Sequence, residues 1–216
     1  MGVRHLTRRK HGLNGLFPSL KTGRMVWFES FLERDFIHLL EFDLRVITFA
    51  EQPFTLEYLH QGQTRHYTPD FQVQYAPQRQ VLVEIKPAAF ALHEDNQRKF
   101  AAAQAWCAER GWTFRVVTEA DVRQQPRLAN VKLVARYVRL SVAPQVQSRM
   151  FAALVADPDQ SLGQLAQRLE PANPVSALPA LLHLAARHAI ALALDEAPLS
   201  LATRVTLPAP LVAEGA

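Results

Sequence analysis

The sequence predicts an α/β fold in which a mixed sheet flanked by helices precedes a small helical unit closed by a hairpin. Three observations predict it. Hydrophobic alternation of period two folds back on itself between Tyr67 and Lys86, a strand–helix–strand order follows to Val117, and charge density drops near Ser141. The chain has 216 residues, 49% of them hydrophobic and 20% charged, which suits one large and one small domain. The expected division is a basic N-terminal arm over 1–27, a sheet domain over 28–140 and a small domain over 141–216.

Each element has its own signal. Phe28 to Phe42 predicts a helix, because Phe28, Leu32, Phe36, Leu39 and Leu40 recur at three- and four-residue spacing. On a helical wheel Glu29 and Glu33 fall on the apolar half, and Arg34, His38 and Glu41 lie outside it. An inward carboxylate needs a partner, so a cation is expected beside at least one of the two; a helix edge where both reach water is the alternative. Phe71, Val73 and Tyr75 then alternate with Asp70, Gln72 and Gln74. Ala76-Pro77-Gln78-Arg79 is a turn signal, and Val81, Val83 and Ile85 alternate with Leu82, Glu84 and Lys86. Pairing symmetric about Pro77 sets Asp70 opposite Glu84, Gln72 opposite Leu82 and Gln74 opposite Gln80, so Asp70, Glu84 and Lys86 share one face.

Glu94 to Arg110 reads as a helix stopped by Gly111, with Phe100, Ala103 and Cys107 on one stripe, and Thr113 to Val117 as a strand. Strand, helix, strand in a compact unit implies a crossover and a parallel pair. Asp121 to Leu140 carries Arg123, Arg127, Lys132, Arg136 and Arg139 against one acid and reads as a basic helix, lining a DNA groove or solvating a surface. After the boundary at 141–144, helices are expected at about 145–156, 161–169 and 176–189. Strands Ile190–Leu194 and Leu201–Leu207, joined by Asp195 to Pro198, complete a winged-helix-like domain. Its third helix has Arg187 as its one fixed base, which favours a protein-binding over a DNA-binding winged helix.

Composition removes several function classes. The apolar fraction excludes a disordered chain, and 8 Gly and 14 Pro without period exclude a fibrous one. The most apolar stretch, Ala177 to Leu194, is broken by His183, Arg187 and His188, so no membrane span is expected. No apolar run follows Arg4, Arg8, Arg9 and Lys10, and the single Cys107 forms no internal disulfide, which fits a cytoplasmic protein. The net charge of +4 is uneven: residues 1–28 carry six Lys/Arg and no acids, 29–140 carry 14 of each, and 141–216 carry four bases and six acids. A basic arm suits DNA phosphates or is a solvated leader. The arm's candidate DNA contacts are Arg8, Arg9, Lys10, Lys21 and Arg24.

The chemistry lies in Pro69-Asp70 followed after thirteen residues by Glu84-Ile85-Lys86. This is the PD-(D/E)xK arrangement of metal-dependent nucleases. Two nearby carboxylates suit Mg²⁺, a hard ion that takes oxygen ligands, with Mn²⁺ as substitute. The candidate ligands are Asp70, Glu84, the backbone of Ile85 and a helix carboxylate, and Lys86 can orient a water at the ion. Glu33 and Glu29 both meet the requirement for that helix carboxylate. Elsewhere Cys107 reads as core, His60, His66, His183 and His188 lack metal-ligand spacing, and Trp27, Trp106 and Trp112 read as packing anchors.

Lys21-Thr22-Gly23-Arg24, Ser30-Phe31-Leu32-Glu33, Glu51-Gln52-Pro53, Thr68-Pro69-Asp70-Phe71 and Glu84-Ile85-Lys86-Pro87-Ala88-Ala89 together resemble TnsA, the endonuclease subunit of heteromeric cut-and-paste transposases. The resemblance covers about residues 20–125. It implies a restriction-endonuclease-like fold with Glu33, Asp70, Glu84 and Lys86 as catalytic residues, Glu33 rather than Glu29, and Gln52 as sheet or site support. It further implies Mg²⁺-dependent hydrolysis of the non-transferred strand at transposon ends. Double-stranded DNA, a DDE-type transposase and an AAA+ ATPase regulator would be the partners. A stand-alone defence or repair nuclease, and a non-catalytic adaptor between transposase and regulator, are the alternatives.

Overall fold

The structure is a computed structural model and describes residues 14–208. Two short strands open it, β1 (Gly15–Pro18) and β2 (Met25–Phe28), paired antiparallel with Gly15 opposite Phe28. The expected arm over 1–27 is therefore folded from Gly15 onward, which corrects that boundary. Four-residue strands around a charged turn leave too little alternation to stand out in sequence, yet Val26 and Phe28 are buried.

Helix α1 (Phe31–Phe42) starts three residues later than Phe28 because Ser30 caps it. Its buried face is Leu32, Asp35, Phe36, Ile37 and Leu40. The chain continues through β3 (Val46–Glu51), the hairpin β4 (Leu56–His60) and β5 (Gln63–Tyr67), then β6 (Phe71–Tyr75) and β7 (Arg79–Ile85). After the short helix α2 (Ala88–Ala91) come α3 (Glu94–Ala108) and β8 (Thr113–Val117). β3, β6, β7 and β8 form one sheet in that order, antiparallel except for β7 with β8. The expected register holds, with Gln72 opposite Leu82 and Gln74 opposite Gln80.

The sheet is mixed and covered on both faces, as expected. On one face Phe71, Val73, Val81, Val83 and Ile85 meet Phe36, Ile37 and Leu40 of α1. On the other, Leu82 meets Leu56, Tyr67, Ala103 and Cys107, with Trp106 and Trp112 packed alongside. Fully burying such a side chain contributes roughly 1.5–3 kcal/mol, so β7 is the best-anchored strand of the sheet. Its sequence alternates but both faces are buried, the pattern of a central strand.

The basic helix expected over 121–140 is two helices, α4 (Glu119–Val122) and α5 (Arg127–Ala135). Pro126 interrupts the run because its nitrogen has no hydrogen to donate. Beyond them lie α6 (Pro144–Ala156), β9 (Gln160–Ser161), α7 (Leu162–Leu169), a 3₁₀ turn, α8 (Leu178–Ala186), β10 (Ala191–Leu192) and β11 (Arg204–Thr206). The last two strands are shorter than expected, and β11 pairs with both β10 and β9, a strand that sequence reasoning missed.

α5 joins the two parts of the chain. Val131 and Val134 lie in the C-terminal core with Leu154, Leu165, Leu181 and Val205. The amide of Asn130, 3% exposed, donates to the carbonyls of Leu194 and Ala197 and accepts from Leu199 N–H. Toward α1, Lys132 of α5 pairs with buried Asp35, and Arg123 Nε lies 3.1 Å from the same carboxylate. Asp35 is the acid of α1 that meets cations; Glu29 lies outside the helix and is exposed.

Candidate active site

The site forms where β6 and β7 meet the start of α1. Asp70 immediately precedes β6, and its Oδ2 accepts the Ile85 N–H at 2.7 Å, tying it to the end of β7. Glu84, one residue earlier on β7, is 4% exposed. Lys86 Nζ lies 2.8 Å from Glu84 Oε1, and the Tyr67 hydroxyl donates to Glu84 Oε2 at 2.7 Å. Lys86 N–H also bonds the Val117 carbonyl at 3.0 Å, so β8 fixes the backbone from which the lysine departs.

Glu33 adds a third carboxylate from α1. Ser30 Oγ accepts the Glu33 N–H at 3.1 Å and donates to Glu33 Oε1 at 2.8 Å, while Glu33 Oε2 accepts the Glu29 N–H at 2.8 Å. Ser30-Phe31-Leu32-Glu33 thus works as a helix-capping motif, a role legible in S-x-x-E spacing. No lysine or arginine forms an ion pair with Glu33 among the described residues, nor with Glu29, in contrast to the cation expected beside at least one of the two.

The electrostatics are those of crowded acids. Burial first, then the charges of Glu84 and Glu33, push the Asp70 carboxyl well above the usual carboxylate range, against the Ile85 hydrogen bond and Lys86. Burial raises Glu33 as well, with Glu29 and Glu84 adding to it against the bonds from Glu29 and Ser30. At Lys86 burial opposes the charge, but Glu84, Asp70 and Glu33 outweigh it and hold the ammonium above the ordinary lysine value. A single ammonium faces three carboxylates, and a further cation would relieve the imbalance.

Among the described residues no group of three or more His, Cys, Asp or Glu side chains is gathered to hold a metal ion. Mg²⁺ does not require such a cage, because it keeps several waters and is held by one or two carboxylates and substrate phosphates. Asp70 and Glu84, with the Ile85 carbonyl, would offer such an ion hard oxygen donors only.

Two supporting residues complete the frame. Gln52, at φ 43°, donates its backbone N–H to the Asp70 carbonyl at 2.8 Å and its side chain to Glu29 Oε1 at 3.0 Å. A non-glycine residue held in the left-handed region marks a backbone fixed by its surroundings. Tyr67, 6% exposed, is the residue that sequence reasoning missed; its signal was position, three residues before Asp70 at the end of β5. Of the expected DNA contacts, Arg8, Arg9 and Lys10 lie outside the described residues. Lys21 donates to the carbonyls of Asp43 and Val46, and Arg24 pairs with Glu51, so both are tied into the fold.

No helix of the described residues is long and apolar enough to cross a membrane. No curated protein matches the chain. Residues 43–119 match the family model described as TnsA-like endonuclease N terminal. The matched stretch holds Gln52, Tyr67, Asp70, Glu84 and Lys86, and begins ten residues after Glu33. Over residues 43–119 the chain is thus similar to the nuclease domain of TnsA-like endonucleases.

Proposed function

We propose that this protein is the Mg²⁺-dependent endonuclease subunit of a heteromeric transposase, hydrolysing the non-transferred strand of double-stranded DNA at transposon ends. The observation that carries this reading is half-buried Asp70 beside buried Glu84, with Lys86 on Glu84, inside a TnsA-like stretch. Asp70, Glu84, the Ile85 carbonyl and Glu33 would hold the ion, and Mn²⁺ would substitute. When bound, Mg²⁺ would polarise the scissile phosphodiester and favour deprotonation of a nearby water.

The chain's own residues supply the rest. Ile85 N–H holds one Asp70 oxygen, leaving the other available. Lys86 orients the attacking water and balances part of the carboxylate charge. Tyr67 fixes one Glu84 oxygen, so the other faces Lys86. Glu33 closes the site from α1 while capping that helix.

The C-terminal unit supports a protein-docking role. α6, α7 and α8 with a three-stranded antiparallel sheet have the order expected of a winged-helix-like domain. Its stretch from 141 carries more acid than base, which suits a protein partner better than DNA. A DDE-type transposase that cuts the other strand and an AAA+ ATPase regulator are the partners this reading assigns, in the cytoplasm.

Strand-resolved cleavage of transposon-end DNA in Mg²⁺ tests it, with the protein alone and with transposase and ATPase added. Cuts on the non-transferred strand that vanish in Asp70→Ala are expected. Unaided cutting at unrelated sequences would instead make it a stand-alone nuclease. Partner binding without any cutting would make it an adaptor.

A further inference from the structure

A cleft of about 730 Å³ lies away from the carboxylates, between α1, the β1–β2 turn, the end of α5 and the end of α8. Its lining contains Lys21, Arg34, Lys132, Arg136, Arg139 and Arg187 against a single acid, Glu41. Lys21 and Lys132 are engaged, by backbone carbonyls and by Asp35 respectively. Arg136, Arg139 and Arg187 are exposed, and their side chains make no hydrogen bond or ion pair among the described residues. Arg34 Nε and His38 Nδ1 are buried atoms without a hydrogen-bond partner.

The two histidines of the cleft respond to this field. Burial, then Lys132 and Arg34, push His38 down to about 4 against Asp35. Burial, then Lys21 and Arg187, lower His188 against Asp43. Both rings therefore stand neutral at pH 7, and the surplus charge belongs to the lysines and arginines.

We propose that this cleft binds the phosphate backbone of double-stranded DNA adjoining the cleaved position. The inference rests on the nuclease reading. Three unpaired arginines from two chain segments, on a concave face with one acid, match a polyanion. Phe17, Phe42, Leu44, Val46 and Val138 supply apolar lining beside these bases. Along α1 the lining runs from Arg34 to Phe42, about 12 Å at 1.5 Å per residue, or roughly three to four base pairs of duplex at 3.4 Å each. Arg34 adjoins Glu33, so a backbone seated here leads to the catalytic end of that helix.

The test is binding of a fluorescent 30-base-pair duplex, followed by anisotropy in EDTA across a salt series. The full chain is compared with Arg136→Ala/Arg139→Ala, Arg187→Ala and the control Arg204→Ala, and thermal melts verify folding. At about 0.1 M salt the double variant is expected to bind about tenfold or more weaker. Its log K against log[salt] slope should be shallower by about two, and that of Arg187→Ala by about one, since each phosphate contact contributes about 0.9. Arg204→Ala should bind within about twofold of the unaltered chain. Unchanged slopes in the cleft variants of a chain that binds DNA overturn this assignment alone. If the unaltered chain binds no duplex, alone or with the transposase and ATPase added, the nuclease reading falls with it. Variants that bind DNA normally but no longer bind the transposase would make the cleft a protein-docking face, which also overturns the proposal.

Discussion

Helix α1 takes part in two regions of opposite electrostatic character. At its start Glu33 joins Asp70 and Glu84, three carboxylates with one ammonium, and Asp70 and Glu33 are pushed up. Farther along, Arg34 and His38 line a cleft with six lysines and arginines and one acid, and histidines there are pushed down. Each region carries surplus charge that the fold leaves unbalanced. Ion pairs that serve stability are matched within the chain, as Asp35 is by Lys132 and Arg123. Unmatched surplus of one sign is a mark of a place where a ligand completes the balance.

The contrast breaks most sharply at the carboxylates. Asp70→Ala and Lys86→Ala are each expected to lower cleavage on the order of 10³-fold or more, with melting temperatures retained, as read by strand-resolved gels and thermal melts. Retained cleavage in either folded variant removes that residue from the site.

Glu33 separates chemistry from capping. Glu33→Gln keeps an amide oxygen for the Glu29 N–H and presents an NH2 that can donate to Ser30 Oγ, so stability should hold while cleavage falls tenfold or more. Ser30→Ala should do the reverse, destabilising by about 1 kcal/mol through loss of the cap with little effect on chemistry.

Tyr67→Phe should have an intermediate effect. Partners that orient a ligand side chain typically matter by about 10–100-fold, so a rise of that order in the Mg²⁺ needed for half-maximal cleavage is expected. A drop in melting temperature with an unchanged Mg²⁺ requirement would reduce Tyr67 to a packing residue.

The smallest effect is on the cationic side. Because His38 titrates near 4 when folded, below its usual 6.5, the unfolded chain takes up the proton first, and stability is lost as pH falls from about 6.5 to 4. Lys132, Arg34 and Asp35 are the charged groups acting on the ring, and Phe17 packs edge-on against it. His38→Gln should flatten this loss by a few degrees, measured by melts at pH 7, 6 and 5. Equal acid sensitivity in both proteins would show that the cleft's field does not reach this ring.

The β6–β7 hairpin was legible in sequence because alternation, turn and motif all act over twenty residues. Gln72 and Gln74 pair as the spacing requires, and Asp70 and Glu84 meet at its end. The β8 bounds and the parallel β7–β8 pair were legible for the same local reason. Residues 15–28 were not, because two four-residue strands around a turn carrying Lys21 and Arg24 are too short for alternation to show. The β4–β5 hairpin escaped because Gln63, Thr64, Arg65 and His66 are all exposed and show no alternation. Tyr67 is a phenol whose role depends on a hydrogen bond made seventeen positions away. The cleft depends on residues from 17 to 188, which no local pattern connects.

Mn²⁺ binding by the purified full chain in the presence of uncleaved transposon-end DNA tests the central claim most directly, comparing the unaltered protein with Asp70→Ala. Saturable binding that weakens at least tenfold in the variant, in step with loss of cleavage, is the predicted result. Equal Mn²⁺ affinity in the two proteins, or cleavage that persists in excess EDTA, would contradict a metal-dependent nuclease centred on Asp70 and Glu84.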